Sequence, residues 1–297
     1  MGSPLYCENP FTPVPSEAEI YTFNKMAKTR NLIYVGTILT GVMLLMTVPG
    51  CNKDESSTPT PPKQTTYTLK MKDILGITGT ATFTETSSTI TTIDITLTGA
   101  PSGTHPAALY TNSAVEGGVV NIALTPVDGN KKSSTTTTMT YTQLIAYDGF
   151  IKVIKSISEP DVILAQGDIG GNVITSANKT YNLDTIGAYG VSGTALFEKR
   201  VNGNTLVTIT LSGTISGDFY PATINLGSIA SVGGGPVVKT LSNIDGTTGK
   251  SFTNIRKLDS GIDITYDNWL VYDGYINIYQ TAVSLDNIIC HGNIGSN

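Results

Sequence analysis

TYTL, GITGTATF and ITLTG, spread over residues 66–99, return as TYNL, GVSGTALF and ITLSG over residues 180–213. The anchoring residues of the two stretches keep a constant spacing of 114 positions, as Tyr67 and Tyr181 illustrate. Random matches would not keep the same spacing at so many positions. The chain is therefore predicted to be a tandem repeat of one small domain.

The repetition resumes further along the chain at a larger spacing. TYTQLIAYDGFIKV at residues 140–153 matches TYDNWLVYDGYINI at residues 265–278, and DVILAQGDIGGN at 161–172 matches DNIICHGNIGSN at 286–297. The spacing is now 125 positions, so eleven residues are inserted in the middle loops of the second copy. Roughly 230 residues remain for the two copies together, which is enough for two separate cores.

The composition limits the classes of partner. Lysine and arginine number 18 against 23 aspartate and glutamate residues, which gives a net charge of −5 at pH 7. Binding to nucleic acid requires a concentrated lysine and arginine face, and no basic cluster lies outside the N-terminal region, so we expect no nucleic-acid partner. Charged residues make up only 14% of the chain, so threonine, serine, glycine and asparagine fill the surface role instead.

The three cysteines do not form a disulfide framework that the two copies share. Cys7 and Cys51 lie outside the repeats, and Cys290 matches Ala165 in the first copy. Cys290 is therefore predicted to be a small buried apolar side chain, with a reactive thiol as the alternative.

The N-terminal region has the pattern of a secretory signal peptide at residues 26–50. Two basic residues precede an apolar run at residues 32–48. The alternative interpretation is an uncleaved transmembrane anchor, because about 17 apolar residues lie at the lower limit for a bilayer span. Residues 1–25 precede an adequate start at Met26 and are interpreted as an over-extended reading frame.

Cys51 determines how this segment is interpreted. Gly50 followed by Cys51 resembles the lipobox of bacterial lipoproteins, although Pro49 departs from the small residue usual there. The resemblance implies cleavage before Cys51 and attachment of acyl chains such as palmitate, which anchor a protein in the membrane. The acidic pair at residues 54–55 resembles a signal for export to the outer face of the outer membrane. We therefore expect a lipid-anchored protein that faces the cell exterior on a proline- and threonine-rich tether at residues 51–65.

Apolar residues alternate with polar ones between residues 66 and 297 rather than recurring at helical spacing. In TIDITLTG at residues 92–99, Ile93, Ile95 and Leu97 share one face. Threonine fills the other face, where a β-branched side chain with a hydroxyl suits a solvated strand surface. The predicted fold class is all-β, with a sandwich or barrel in each copy.

Only two segments have a helical pattern, and both are short. YTQLIAYD and YDNWLVYD each predict one turn, with Thr142 or Asp267 as the N-cap. Four Asp-Gly pairs predict tight turns in which the aspartate side chain bonds nearby backbone. These pairs begin at Asp128, Asp148, Asp245 and Asp273.

The ordered motifs of both copies identify a family resemblance. GxxGTAxF, ITL(S/T)G, YDG(F/Y)Ix(V/I) and G(D/N)IGxN occur twice in the same order. Together they resemble the chordin-type CHRD domain in its bacterial lipoprotein form, over nearly the whole of both copies. The resemblance implies two Greek-key β-sandwiches, immunoglobulin-like in class and similar to Cu/Zn superoxide dismutase. The first repeat is expected at residues 66–172 and the second at 180–297, with a linker at 173–179 short enough to keep the domains in contact.

The histidines of the family's metal motif are missing. Many members carry PAHxH, but Ala108 and Tyr110 stand at those positions in the first copy, and Thr223 and Asn225 in the second. A copper or zinc site requires several converging imidazole or thiolate ligands. We therefore predict no metal site, no cofactor and no catalytic residue.

The two histidines of the chain lie at positions that are not equivalent. His105 matches Tyr220, and His291 matches Gln166. Because these positions accept tyrosine or glutamine in the other copy, both are interpreted as polar or amphipathic surface sites with a structural or solvated side chain. Without them no Ser-His-Asp grouping can be assembled.

The function predicted is a non-enzymatic, surface-exposed outer-membrane lipoprotein that presents two CHRD-like modules for binding or for structural or adhesive interaction. Its expected partners are the membrane, through Cys51, and an unidentified protein or glycan. The alternatives are a degenerate or variant dismutase-like redox enzyme and a scaffold subunit of an envelope complex. Aromatic residues are a candidate binding surface, with a core role as the alternative. They are Tyr141, Tyr147, Phe150, Tyr266, Trp269, Tyr272 and Tyr275.

Overall fold

The computed structural model of the chain describes residues 61–129, 131–231, 234–282 and 284–297. The predictions that concern residues 1–60, Cys51 among them, lie outside the described residues. The segment Thr58–Asn297 forms one compact unit. All residues of both hydrophobic cores lie within this segment, so we expect it to fold by itself.

Each copy of the repeat consists of eight strands and one very short helix. The first contains β1 (Gln64–Met71), β2 (Thr78–Ser87), β3 (Ile90–Thr98), β4 (His105–Thr111), β5 (Val120–Val127), β6 (Lys132–Thr137), α1 (Tyr141–Ile145), β7 (Gly149–Ser156) and β8 (Glu159–Ile169). The second contains β9 (Ile174–Thr185), β10 (Ser192–Arg200), β11 (Thr205–Ser212), β12 (Phe219–Leu226), β13 (Val237–Asp245), β14 (Lys250–Ile255), α2 (Tyr266–Trp269), β15 (Asp273–Thr281) and β16 (Ser284–Gly295). The predicted all-β class is confirmed.

The strands of the two repeats pair in equivalent orders. The sheet of the first repeat runs β5-β4-β7-β8-β1-β2-β3-β6, and that of the second runs β10-β11-β14-β13-β12-β15-β16-β9 and closes into a barrel. A single pair, Asp245 with Lys250, joins β13 to β14 and completes the closure. No such pair joins β5 to β6 among the described residues of the first repeat.

The alternation read from the sequence is confirmed at β3. Ile93, Ile95 and Leu97 are buried, whereas Thr92 and Thr96 are half-buried on the outer face. Neighbouring strands place their own apolar residues on the same inner face, so every strand except β6, which contains only Lys, Ser and Thr, contributes to one core per repeat. Burial of each large side chain contributes about 1.5–3 kcal/mol.

The two cores have matching aromatic centres. Phe83 contacts Tyr67 edge-on at a ring separation of 5.1 Å, and Phe197 contacts Tyr181 in the same way at 5.3 Å. Trp269, which is fully buried, adds a third ring against Phe197 at 6.0 Å in the second repeat. The duplicated motif therefore specifies duplicated packing, not only duplicated strands.

The two short helices occur where the sequence predicts them, but their N-caps are different residues. Thr140 caps α1 and Thr265 caps α2, each in a capping box in which the third residue of the helix bonds back to the cap. The predictions of Thr142 and Asp267 as N-caps are wrong. The Thr-x-x-Gln pattern beginning at Thr140 is the capping-box signal that decides the helix start.

The boundary between the repeats also differs from the prediction. A single turn of 3-10 helix, Gly170–Asn172, follows β8, and β9 begins at Ile174. Most of the segment expected to be a linker, residues 173–179, is therefore strand. The reason is that Ile174 already pairs with Arg200 across the β9–β10 ladder.

Turns follow Asp128 and Asp245 as predicted, whereas Asp148 directly precedes β7 and Asp273 is the first residue of β15. The Asp245 carboxylate accepts a hydrogen bond of 2.7 Å from the backbone N–H of Thr247, as predicted for a turn. The Asp148 carboxylate instead accepts from the amide of Asn202, which belongs to the second repeat. Asp273 accepts from Asn297 at the end of the chain.

Candidate functional site

A buried ion pair joins the two repeats. Nη1 of Arg200, at the end of β10, lies 2.7 Å from Oδ2 of Asp168 in β8. The Arg200 side chain has no exposed surface and that of Asp168 is 17% exposed. The other oxygen of Asp168 accepts the backbone N–H of Ala114 at 2.7 Å, and the carbonyl of Asn172 also accepts from Arg200. The carboxylate is therefore fully occupied in neutralising Arg200 and in bonding the loop after β4.

Further hydrogen bonds fix the orientation of the repeats. The backbone N–H of Asn202 donates to the Gly171 carbonyl at 2.9 Å, and its side-chain amide donates to Asp148 at 2.8 Å. A Cβ at Gly171 would lie 2.2 Å from the Asp148 carboxylate and 3.0 Å from Asn202. A side chain at this position would therefore displace the Asp148 carboxylate from Asn202.

Beside these contacts lies an open cleft of about 640 Å³ between the repeats, which we call the inter-repeat cleft. Strands β1 and β8 and residues 114–115 form its wall in the first repeat, and β9, β11 and β14 form its wall in the second. Its large apolar lining residues are Met71, Val115, Ile174, Leu206 and Phe252. Its volume lies within the usual range for ligand sites, which often occur between domains.

Four of the five large apolar residues of the cleft keep part of their surface exposed, whereas Leu206 is covered. Met71 is 49% exposed, Phe252 44%, Val115 42% and Ile174 39%. Isolated exposed apolar residues are ordinary on protein surfaces, but several that converge on one concave surface indicate a binding site. Lys70 and Gln166 supply polar groups at the same cleft.

The structure places His105 in the interior, so its interpretation as a surface residue is wrong. Only 2% of His105 is exposed. Nδ1 lies 2.7 Å from the Lys155 carbonyl and Nε2 lies 3.1 Å from the Pro101 carbonyl. Its counterpart Tyr220 is also buried, and its hydroxyl accepts the backbone N–H of Ile215. The position accepts His or Tyr because both bury a ring and satisfy a polar tip inside the fold.

His291 lies in β16, next to Asp184 of β9. Burial lowers the pKa of His291, and the nearby Asp184 carboxylate partly opposes that shift. His105 belongs to the other repeat and the two histidines do not converge. In the part of the chain that the structure describes, no group of three or more His, Cys, Asp or Glu side chains is placed to hold a metal ion.

The positions of the missing metal motif have other partners. Tyr110 stacks on Phe150 at a ring separation of 5.0 Å, with Nζ of Lys152 lying 4.4 Å from its ring centre. In the second repeat the Thr223 hydroxyl donates to the Asn225 side chain at 2.7 Å. These side chains are engaged in packing and hydrogen bonding on the outer face of each sheet.

Cys290 is fully buried in the core of the second repeat. Burial, with a smaller effect of Asp184, raises the pKa of the thiol to about 12. The thiolate is the reactive form, so the predicted buried apolar role is confirmed and the alternative of a reactive thiol is wrong.

The aromatic residues that were candidates for a binding surface are mostly covered, although only Tyr141, Tyr266 and Trp269 belong to the two cores. Tyr141, Phe150, Tyr266, Trp269 and Tyr275 are all buried. Tyr147 and Tyr272 are half-buried, and burial raises the pKa of both phenols. The interpretation of this set as a binding surface is therefore wrong.

Three residues at the boundary between the repeats are not shared by the two copies, so the repeated motifs do not indicate them. Asp168 matches Asn293, Arg200 matches Thr86, and Gly171 matches Ser296. The signal that the sequence does offer is a difference in charge or size between equivalent positions of the two copies.

No helix within the described residues has the length and apolarity needed to cross a membrane. Comparison of the chain with models of protein families, with curated proteins and with solved structures found no match.

Proposed function

We propose that this protein is a non-enzymatic, lipid-anchored outer-membrane protein that faces the cell exterior and presents two CHRD-like modules as one binding unit. The observation that carries the proposal is the inter-repeat cleft, in which part-exposed apolar side chains from both repeats converge. The buried pair of Arg200 with Asp168 holds the two walls in a fixed relation. A preformed cleft between rigid walls favours binding because little ordering is needed when the ligand arrives.

The strand order supports the CHRD-like, dismutase-like Greek-key part of the proposal. In the second repeat β12, β13 and β14 are consecutive neighbours, and β15 returns to lie beside β12. That spatial order supports a Greek-key arrangement, in which the fourth strand returns to lie beside the first. The equivalent order in the first repeat lacks only the pairing of β5 with β6.

The membrane part of the proposal rests on the sequence before the repeats. The signal-like segment at residues 26–50, Cys51 and the acidic pair at 54–55 together support acylation and display at the outer face. Several acyl chains, each CH₂ contributing about 0.8 kcal/mol of burial, anchor a protein stably.

Acylation is tested by expressing the full chain in a Gram-negative host with a clickable palmitate analogue. We expect label and membrane association for the wild type and for Cys290→Ala, which copies Ala165, and loss of both for Cys51→Ser. Protease treatment of intact cells should digest the protein without lysis. Label that persists in Cys51→Ser, or resistance to protease until the cells are lysed, would refute the localisation.

Metal analysis separates this proposal from the redox alternative. The folded segment Thr58–Asn297 is purified after growth with added copper and zinc. Substoichiometric metal together with no superoxide-consuming activity is expected. Stoichiometric copper or zinc that survives dialysis would favour the enzyme and contradict the proposal.

A further inference from the structure

We propose that the inter-repeat cleft binds an extended peptide segment that carries large apolar side chains beside an acidic residue. This inference rests on the proposed binding function and specifies the ligand class for the same cleft. Two independent features of the lining carry it: apolar residues that the fold itself does not require, and an unpaired positive charge.

Comparison of the two copies shows which cleft residues the fold does not require. Leu206 and Phe252 correspond to Thr92 and Ser134 of the first repeat, which occupy the same strand positions in β3 and β6. Met71 corresponds to Thr185. The copy that faces solvent at these positions uses hydroxyl residues, so the large apolar side chains are specific to the cleft.

The contact between the repeats covers Leu206, which is 4% exposed, but it does not account for Phe252 and Met71. Phe252 and Met71 keep nearly half of their surface exposed, whereas a residue selected for packing between the repeats would be covered. Burial of such surface by an occupant is favourable by about 25 cal/mol per Å². The cleft therefore favours a partner with apolar side chains spaced to reach both walls.

The charge of the cleft favours an acidic group on that partner. Lys70 is exposed at the cleft, and no ion pair joins it to a carboxylate in the described residues. Its counterpart in the second repeat is Asp184. The Asp168 carboxylate is already neutralised by Arg200, so the net charge that an occupant meets is positive.

The polar lining favours a peptide over an acyl chain. Thr66, Thr68 and Gln166 line the cleft between its apolar residues. Thr66 is already bonded to Thr82. A peptide backbone offers N–H and C=O groups to pair with Thr68 and Gln166, whereas an acyl chain would cover these two side chains without a hydrogen bond, which is costly. The cleft is also open at the surface, which suits a segment that passes through it.

The test uses the segment Thr58–Asn297 and two pools of fluorescent peptides about ten residues long. Both pools have Val, Ile or Phe at alternate positions, and the intervening positions contain Glu in one pool and Lys in the other. Fluorescence anisotropy should show that the acidic pool binds at least about tenfold more tightly than the basic pool. Lys70→Glu should reverse this preference, and Phe252→Ser should weaken binding of both pools.

Two variants outside the cleft serve as matched controls. Lys72→Glu makes the same change of charge two positions away, and Phe219→Ser makes the same apolar-to-polar change at an exposed site of the second repeat. Both should leave the dissociation constants unchanged. Circular dichroism and thermal unfolding of each variant establish that it is folded before its binding is compared.

Several outcomes would overturn the inference. They are binding of neither pool, equal binding of both pools by the wild type and Lys70→Glu, and tight binding of dodecanoate without binding of peptide. Sedimentation that shows a dimer dissociated by Phe252→Ser would identify a second copy as the occupant instead. The acylation and protease results on Cys51 are independent of these measurements, so failure of the peptide test leaves the localisation standing.

Discussion

The joined end of the first repeat and the free end of the second are built from equivalent positions with different residues. Asp168 and Asn293 each accept one backbone N–H from the loop after the fourth strand, at 2.7 and 2.9 Å. Asn172 and Asn297 likewise donate to equivalent carbonyls. The fold therefore requires an oxygen acceptor in the last strand, but only the joined end requires a charge.

The residues that the second repeat contributes to the boundary differ from their counterparts in the same way. Arg200 and Asn202, which bond to the first repeat, match Thr86 and Ser88 at the outer end of the first repeat. Thr86 is exposed and bonds only within its own sheet, to Thr84 and Thr92. At these positions the copies differ in charge: the residues at the joined end form an ion pair, whereas their counterparts Asn293 and Thr86 are polar and neutral.

Removal of Asp168 should have the largest effect. Asp168→Ala leaves Arg200 buried without a counter-charge, and we expect a loss of about 3–5 kcal/mol in the free energy of unfolding. Asn293→Ala removes only a neutral acceptor and should cost about 1 kcal/mol. Urea unfolding of both variants measures the difference. Equal losses would mean that the ion pair contributes nothing specific to the joined end.

The turn before the sixth strand has the same backbone conformation in both repeats but a different residue. Lys131 has a φ of +62°, and its counterpart Gly249 has a φ of +66°. Gly249→Ala should cost about 1–3 kcal/mol, because a side chain is strained at positive φ and its Cβ would lie 2.4 Å from the Leu211 carbonyl oxygen. Lys131→Gly should stabilise slightly, by about 0.5 kcal/mol. Thermal unfolding that shows the opposite order would contradict this account of the turns.

The two capping boxes should respond alike. Thr140→Ala and Thr265→Ala each remove the hydroxyl that accepts the N–H of the third helical residue, at a cost of about 1 kcal/mol. Thr142→Ala, at an exposed position inside α1, should cost almost nothing and serves as the control. Unequal losses for the two caps in chemical denaturation would show that the repeats are not equivalent here.

The smallest effect concerns His291. Burial lowers its pKa in the folded protein, so the unfolded chain binds the proton more tightly and stability falls as the pH drops below about 6.5, the usual pKa of histidine. His291→Gln, which copies Gln166, should remove this part of the pH dependence. Urea midpoints at several pH values would measure it. An unchanged slope would mean that other groups cause the acid sensitivity.

Much of the fold could be predicted from local signals. The repeat spacing predicts two copies, and the alternation at Ile93, Ile95 and Leu97 identifies a core-facing strand surface correctly. Position 105 shows the limit of this reasoning. The first copy has His105 there and the second has Tyr220, which indicates a polar surface site. Both side chains are nevertheless buried, because backbone carbonyl and N–H groups satisfy their polar atoms. Such partners are distant in sequence and become visible only in the fold.

The candidate site was less predictable than the fold. Met71, Ile174 and Phe252 lie far apart in the chain and belong to different strands, so no local pattern brings them together. Arg200 was not distinguished from any other surface cation, since its burial depends on the first repeat covering it. The disagreement between copies at these positions was visible, but its meaning required knowledge of which end of each repeat is joined.

The duplication, the all-β class, the turns after Asp128 and Asp245 and the apolar character of Cys290 follow from the amino-acid sequence, because they depend on periodicity and on the conformational preferences of neighbouring residues. The tertiary structure alone decided that Arg200 pairs with Asp168, that His105 is buried, and that apolar residues of both repeats meet in one cleft. These features depend on how two rigid bodies are oriented. That orientation is fixed by a few contacts between residues that lie far apart in the chain, and no short segment of sequence indicates which residues will meet.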